Sequence, residues 1–236
     1  MDFSLIIPTY NEKENIIVLV RRITAVLTPT GISYEILVVD DDSPDLTWEI
    51  VETEFHGDNT VKVIRRTKNK GLSASVIDGF SHSSGDLLGV MDADLQHDEN
   101  CLPEMLRIAS SNDLVIGTRF SRGGSIEGGW PISRKISSAL ATAAAKIMLG
   151  VSVSDPMSGF FIVRKSQFDK ISGSLDPKGF KILLEILHLL KVFCPNAKVS
   201  EVGIFFRKRT AGESKMDFKV IRDYFFSLVR LRKIRK

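Results

Sequence analysis

One pattern constrains this chain more than any other: short, unbroken aliphatic runs, each followed by a longer stretch with helical periodicity. Leu5-Ile6-Ile7, Ile36-Leu37-Val38-Val39 and Leu87-Leu88-Gly89-Val90 contain no polar residue. A strand with one wet face alternates apolar and polar residues, so runs like these belong to strands covered on both sides. They recur in order, with extended runs at residues 3–8, 34–40, 61–64 and 87–91 separated by amphipathic stretches at 12–27, 46–55 and 72–83. This alternation predicts an α/β fold, a mainly parallel sheet with helices on both faces. In such sheets ligands bind beyond the carboxyl ends of the strands.

The rest of the chain continues in kind. A strand is expected at 114–117, then a Gly-rich loop over 122–129 long enough for a mobile lid. A helix at 133–149, strands at 160–163 and 199–206 with a helix at 182–192 between them, and a terminal helix follow. At 236 residues, one domain over 1–217 accommodates the core, leaving 218–236 as a basic amphipathic helix. There Ile221, Phe225 and Leu228, with Tyr224 and Leu231 beside them, recur at helical spacing. The net charge of +3 argues against a nucleic-acid partner, but Arg222, Arg230, Arg232, Lys233, Arg235 and Lys236 concentrate positive charge on this helix. Such a helix fits an anionic membrane surface, or packs as an ordinary terminal helix. Cys101 and Cys194 lie far apart and in no metal-ligand spacing. The start of the chain lacks a basic signal-peptide opening, and no apolar run reaches the roughly 18 residues of a membrane span. The expectation is a cytoplasmic protein, peripheral at the cytosolic face of a membrane.

Polar residues fall where the strands end. The first strand runs into Pro8-Thr9-Tyr10-Asn11-Glu12, the second into Asp40-Asp41-Asp42, the fourth into Asp92-Ala93-Asp94-Leu95-Gln96. In extended backbone Asp92, Asp94 and Gln96 would point to one side, three oxygen ligands for a hard cation such as Mg²⁺ or Mn²⁺. Three adjacent carboxylates at 40–42 repel one another unless donors lie beside them, and donors on a base and ribose would serve. Arg119, Arg134, Arg209 and Lys215 follow separate elements. Each alone reads as a solvated cation; together they suit phosphate oxygens.

Taken in order, these segments resemble the catalytic domain of the dolichyl-phosphate mannose synthases, within the family 2 glycosyltransferases of GT-A fold. The resemblance rests on Ile6-Ile7-Pro8-Thr9-Tyr10-Asn11-Glu12, Val38-Val39-Asp40-Asp41-Asp42-Ser43-Pro44-Asp45, Lys70-Gly71-Leu72-Ser73 and Val90-Met91-Asp92-Ala93-Asp94-Leu95-Gln96-His97. It continues through Trp130-Pro131 with Arg134-Lys135, Asp155-Pro156-Met157-Ser158-Gly159-Phe160-Phe161, and Arg209 with Gly212-Glu213-Ser214-Lys215. It implies that Pro8, Tyr10, Glu12, Asp40, Asp42 and Ala93 hold the nucleotide sugar, while Asp92, Asp94 and Gln96 meet the metal and diphosphate. Arg119, Arg134 and Ser138 would form the acceptor-phosphate site, and Arg209 and Lys215 a loop closing on the donor phosphates. Members from several lineages continue into transmembrane helices, whereas this sequence stops at Lys236. The resemblance therefore implies a membrane-anchored partner subunit, direct membrane binding, or a truncated chain.

The implied reaction is inverting transfer of mannose from GDP-mannose to dolichyl or another polyprenyl phosphate. A phosphate monoester, with its second pKa near ~6, is already an anionic nucleophile at neutral pH, which accounts for the lack of a visible catalytic triad. Two other readings stand beside it: transfer of another hexose from a UDP-sugar, and a noncatalytic regulatory subunit that keeps the fold.

Overall fold

A computed structural model describes residues 1–178, 181–208 and 218–234. The order is β1 (Phe3–Thr9), α1 (Ile16–Leu27), β2 (Tyr34–Asp40), α2 (Thr47–Glu54), β3 (Val61–Arg65), α3 (Leu72–Ser81), β4 (Leu87–Met91), α4 (Leu102–Ala109) and β5 (Leu114–Thr118). Then come β6 (Ser125–Ile126), α5 (Ile132–Leu149), β7 (Phe160–Arg164), α6 (Lys165–Phe168), α7 (Ile182–Phe193), β8 (Val199–Gly203), β9 (Phe205–Phe206) and α8 (Phe218–Lys233).

Seven strands form one sheet in the order β3-β2-β1-β4-β7-β5-β8. Every neighbouring pair is parallel except those made by β7, which inserts antiparallel between β4 and β5. Sequence pattern cannot reveal this reversal, because a strand buried on both faces reads alike in either direction. The sheet is thus mixed and mostly parallel, with the expected helices on both faces. Alternate residues of the aliphatic runs go to opposite sides: Ile6, Leu37, Val39, Leu88 and Val90 join the core beneath α3, α5, α7 and α8. Leu5, Ile7, Ile36 and Val38 join that beneath α1, α2 and α4. At roughly 25 cal/mol per Å² of apolar surface removed from water, these two cores are the main stabilising contribution.

The topology gathers the polar clusters. The carboxyl ends of β1, β2, β4, β5 and β8 and the amino end of antiparallel β7 lie along one rim, with Thr9 opposite Asp40 and Met91 opposite Phe160.

Two regions carry detail beyond the sequence pattern. In the Gly-rich loop β6 pairs with β9 in a second, two-stranded sheet, and Glu127 accepts from the Lys208 amide at 2.7 Å. Gly203 approaches Gly124 so closely that a Cβ there would lie 2.5 Å from the Gly124 nitrogen. In α8, Tyr224, Leu228 and Leu231 face the core rather than a membrane, and Phe225 is exposed. Arg230, expected on a cationic flank, instead pairs with Glu185 of α7 at 2.6 Å and with Asp176 at 3.4 Å. The Ile221 and Arg222 side chains, Arg235 and Lys236 lie outside what is described.

Candidate active site

The rim begins where β1 and β2 end. Asp40 is fully buried, and both its oxygens are engaged: Thr9 Oγ1 donates at 2.8 Å, and Ser43 donates from its amide and its hydroxyl at 2.7 Å each. Asp41 accepts from Arg66, from Ser75 Oγ at 2.9 Å and from the Gly71 amide at 2.6 Å. Asp42, in the left-handed region at φ 53°, takes Arg65 Nε at 2.8 Å and Lys70 Nζ at 3.2 Å, and these cations hold its carboxyl below the usual range. The protein's own donors therefore relieve the repulsion that sequence pattern alone would assign to a nucleoside. Asp40 shapes the loop instead of presenting an oxygen to a ligand, while Asp42 remains at the surface, its partner Arg65 stacked over Trp48 at 4.0 Å. Pro8 and Ala93 are buried in the frame, with Tyr10 exposed and Glu12 half-exposed beyond them.

Beyond β4 the backbone bends, and Leu95 has φ 60°, so the extended geometry that would align Asp92, Asp94 and Gln96 does not hold. Gln96 braces the turn through its amide nitrogen. Its side-chain amide donates to the Arg207 carbonyl at 3.0 Å, and its own carbonyl accepts from the Arg207 amide at 2.7 Å. Arg207 in turn pairs with Asp98 at 2.8 Å and Glu99 at 2.6 Å, fastening this turn to the end of β9. Asp92 is the more open carboxylate, its side chain 37% exposed, whereas Asp94 is buried near the surface. Two neighbours confine Asp92. His97, packed against Phe160 and Phe206, places Nε2 at 3.4 Å from its Oδ2. The Gly159 backbone comes so near that a Cβ would lie 2.0 Å from the same oxygen. Among the described residues no three His, Cys, Asp or Glu side chains gather into a cage. Two carboxylates beside a buried strand end fit a cation that completes its shell with ligand phosphates and water, as Mg²⁺ commonly does.

Across β7 lies a cationic side. Arg119, following β5, forks onto Asp155 with Nε at 2.7 Å and Nη2 at 2.8 Å. Its guanidinium carbon sits 5.0 Å from the ring centres of both Trp130 and Phe206. Two of five donors are used on Asp155, so the others can meet an anion. Arg134, in the first turn of α5, stacks on Trp130 at 4.3 Å, and Ser138 lies one turn further on, partly buried. Trp130 thus joins the two arginines. Arg209 and Lys215 lie outside the described residues.

Lys181 was not singled out in the sequence. It caps the amino end of α7, with Asp92, Arg119 and Asp155 as charged neighbours; burial lowers its pKa below the usual lysine value, and Asp92 opposes that. A signal was present, because a lysine ahead of the apolar run Ile182-Leu183-Leu184 puts a cation at the positive end of a helix dipole, an unfavourable position without a nearby anion.

Comparison with known proteins bears on the family and the fold. The family model for glycosyl transferase family 2 matches residues 4–172. A dolichol-phosphate mannosyltransferase of Pyrococcus furiosus is 47% identical over 99% of this chain, which spans 64% of that relative's length. Proteins of the same name from Saccharomyces cerevisiae and Mycosarcoma maydis are each 36% identical over 98% of this chain, covering 87% and 79% of their lengths. Among solved structures, glucosyl-3-phosphoglycerate synthase of Mycobacterium tuberculosis in complex with Mn²⁺, UDP and phosphoglyceric acid is 16% identical. It superposes with a TM-score of 0.70 over 100% of this chain and 80% of its own. Mannosyl-3-phosphoglycerate synthase of Rubrobacter xylanophilus gives 0.69 at 18% identity, over 98% and 73%. Those two likenesses establish the GT-A fold. The chain is a glycosyltransferase of family 2 and, by its identity to these relatives over nearly its whole length, belongs to the dolichol-phosphate mannosyltransferases.

Proposed function

We propose that this chain transfers mannose from GDP-mannose to dolichyl or another polyprenyl phosphate, with inversion at the anomeric carbon. One observation supports this reading above the others: the rim sets an acidic strand end, Asp92 and Asp94, against a stacked arginine pair, Arg119 and Arg134. No side chain there needs to activate a hydroxyl. A phosphate monoester is charged before it arrives, so the cationic side has only to hold it in line with the sugar. A phosphate oxygen forms the new bond to the anomeric carbon while the bond to the nucleotide diphosphate breaks, its electron pair leaving with GDP. Asp92 and Asp94 would hold Mn²⁺ or Mg²⁺, which supplies charge stabilisation for the leaving diphosphate. Asp42, Tyr10 and Glu12 border the nucleoside end, and Arg209 and Lys215 are proposed to close on the donor phosphates.

The acceptor's lipid tail calls for a membrane surface, and α5 supports one. Ile132, Ile136, Leu140 and Ile147 are 74%, 55%, 66% and 84% exposed, at the spacing of one helix stripe. Arg134 lies roughly 200° around the helix from Ile132. One side of α5 is therefore oily and outward while the other faces the site. Phe225, Phe226 and Val229 of α8 add exposed apolar surface, and α8 is tied to α5 by Tyr224, whose hydroxyl donates to the Ala141 carbonyl at 2.6 Å. No helix among the described residues is long and apolar enough to cross a membrane. This surface is proposed to lie on an anionic leaflet or against a membrane-anchored partner subunit.

Offering GDP-mannose, UDP-glucose and UDP-N-acetylglucosamine in parallel, with a short polyprenyl phosphate and Mn²⁺, tests the reading. A β-mannosyl phosphate product from the first donor is expected. Preferential turnover of a UDP-sugar would replace mannose by another hexose, and no turnover of any donor would favour a noncatalytic subunit.

A further inference from the structure

Arg119 and Asp155 stand 36 positions apart, and more than their own two side chains sets the fork between them. Ser154, immediately before Asp155, donates its amide and its hydroxyl to Glu201 Oε1 at 2.7 and 2.6 Å. Thr118 Oγ1 lies 2.6 Å from Ser154 Oγ and accepts from the Phe120 amide at 3.2 Å. A hydroxyl has one proton to give. Because that of Ser154 goes to Glu201, the short contact with Thr118 is made by the threonine's proton. Every bond of the chain then runs one way, from the Phe120 amide through the Thr118 and Ser154 hydroxyls to the Glu201 carboxylate. Thr118 is fully buried, so its hydroxyl depends on these partners. Bonds in series strengthen one another, most of all when the final acceptor is charged. The members of the chain flank Arg119 on both sides and precede Asp155, so one carboxylate on β8 fixes both backbones from which the fork is built.

The other end of the loop that carries Asp155 is held separately. Ser158 donates to the Gly117 carbonyl at 2.6 Å and accepts from the Phe160 amide at 3.1 Å, which keeps Gly159 against Asp92 without help from Glu201. Disturbing Glu201 is therefore felt on the arginine side of the rim and not on the carboxylate side.

We propose that Glu201 is a positioning residue for the acceptor's phosphate monoester: through Ser154 and Thr118 it holds Arg119 at the angle at which its remaining donors meet the phosphate. The assignment rests on the function proposed above. A guanidinium fork is planar, so a tilt of the Asp155 backbone passes straight to the donors on its far edge. Anchoring residues 118, 120 and 154 to one carboxylate removes that tilt.

The test uses the full chain with Glu201→Ala, Glu201→Gln and Ser154→Ala. Calorimetry follows a short polyprenyl monophosphate binding in the presence of GDP and Mn²⁺, with mannosyl transfer from GDP-mannose and melting temperature measured alongside. The acceptor Kd should rise at least about tenfold in Glu201→Ala, and at least about threefold in Ser154→Ala, which keeps the amide bond to Glu201. Glu201→Gln, whose amide oxygen can accept both bonds, should recover most of the loss. GDP affinity in Mn²⁺ should stay within about threefold of wild type in all three. An unchanged acceptor Kd in the alanine variants overturns the assignment. So does an equal loss of GDP and acceptor affinity, the mark of general loosening, or a Glu201→Gln as weak as Glu201→Ala. If Glu201→Ala fails to fold, Ser154→Ala decides by the same criteria. A wild-type chain that binds the acceptor without transferring would remove the proposed reaction and leave Glu201 to be judged by Kd; one that does not bind it overturns both.

Discussion

Gly159→Ala is a sharp probe of how Asp92 is held. The Cβ it adds would lie 2.0 Å from Asp92 Oδ2 and 2.3 Å from its carboxyl carbon. Ordinary van der Waals contact begins near 3.4 Å, so the carboxylate must retreat by about 1.4 Å. Gly159 has no positive φ, so alanine meets no backbone penalty there. Asp92 is 37% exposed and ends a short side chain, so it can swing outward without disturbing the core. The expected stability cost is below about 1.5 kcal/mol, the range of a surface adjustment rather than of core overpacking. Function should suffer more, since a misplacement of about 1 Å can cost on the order of 10²-fold in rate. The assay is a Mn²⁺ titration of mannosyl transfer, with melting temperature followed alongside. A roughly hundredfold loss of kcat/KM and a raised Mn²⁺ requirement are expected with near-normal melting. Wild-type kcat/KM at low Mn²⁺ would refute the argument that this glycine leaves space for the carboxylate.

Other expectations follow from the same geometry. Asp155→Ala strips the Arg119 fork of its partner, and should cost about 3 kcal/mol, at the low end for a broken buried pair because Arg119 stays 13% exposed; denaturant melts read it directly. Replacing Ile136 and Leu140 together by Asp should reduce sedimentation with anionic vesicles at least about tenfold while leaving the melting temperature near wild type, and unchanged binding would dismiss the α5 surface. Burial lowers the pKa of His188 on α7, so its protonation favours the unfolded chain. Stability from this group is present above the ordinary histidine value of roughly 6.5 and is lost as pH falls below it. His188→Leu should therefore flatten the acid side of a stability–pH profile, and an unchanged profile would exclude this source.

Sequence pattern carried most of the frame. The strands at 34–40, 114–118 and 160–164 are legible because continuous aliphatic runs have no other stable use in a chain of this polarity. What escaped was direction and pairing. Nothing in Phe160-Phe161-Ile162-Val163 marks it as the reversed strand, and β6 and β9 are too short to carry a period. The convergence of strand ends on one rim was legible, but the contacts along it were not. Asp40 was matched to a ligand because an unsatisfied carboxylate invites one, and the donors that satisfy it come from Ser43 and Thr9. Asp41 likewise depends on Arg66, 25 positions away.

The central claim is that the carboxylates beyond β4 hold the cation on which transfer depends. It is tested most directly by measuring labelled mannose passing from GDP-mannose to a short polyprenyl phosphate across a Mn²⁺ series, for wild type and Asp94→Asn. Asp94 is buried only at the rim, so the variant should fold normally. Transfer by the wild type should rise with Mn²⁺ and vanish with chelator, while Asp94→Asn should lose at least about 10² in rate at every concentration. Near-wild-type transfer by Asp94→Asn at saturating Mn²⁺ would contradict the account.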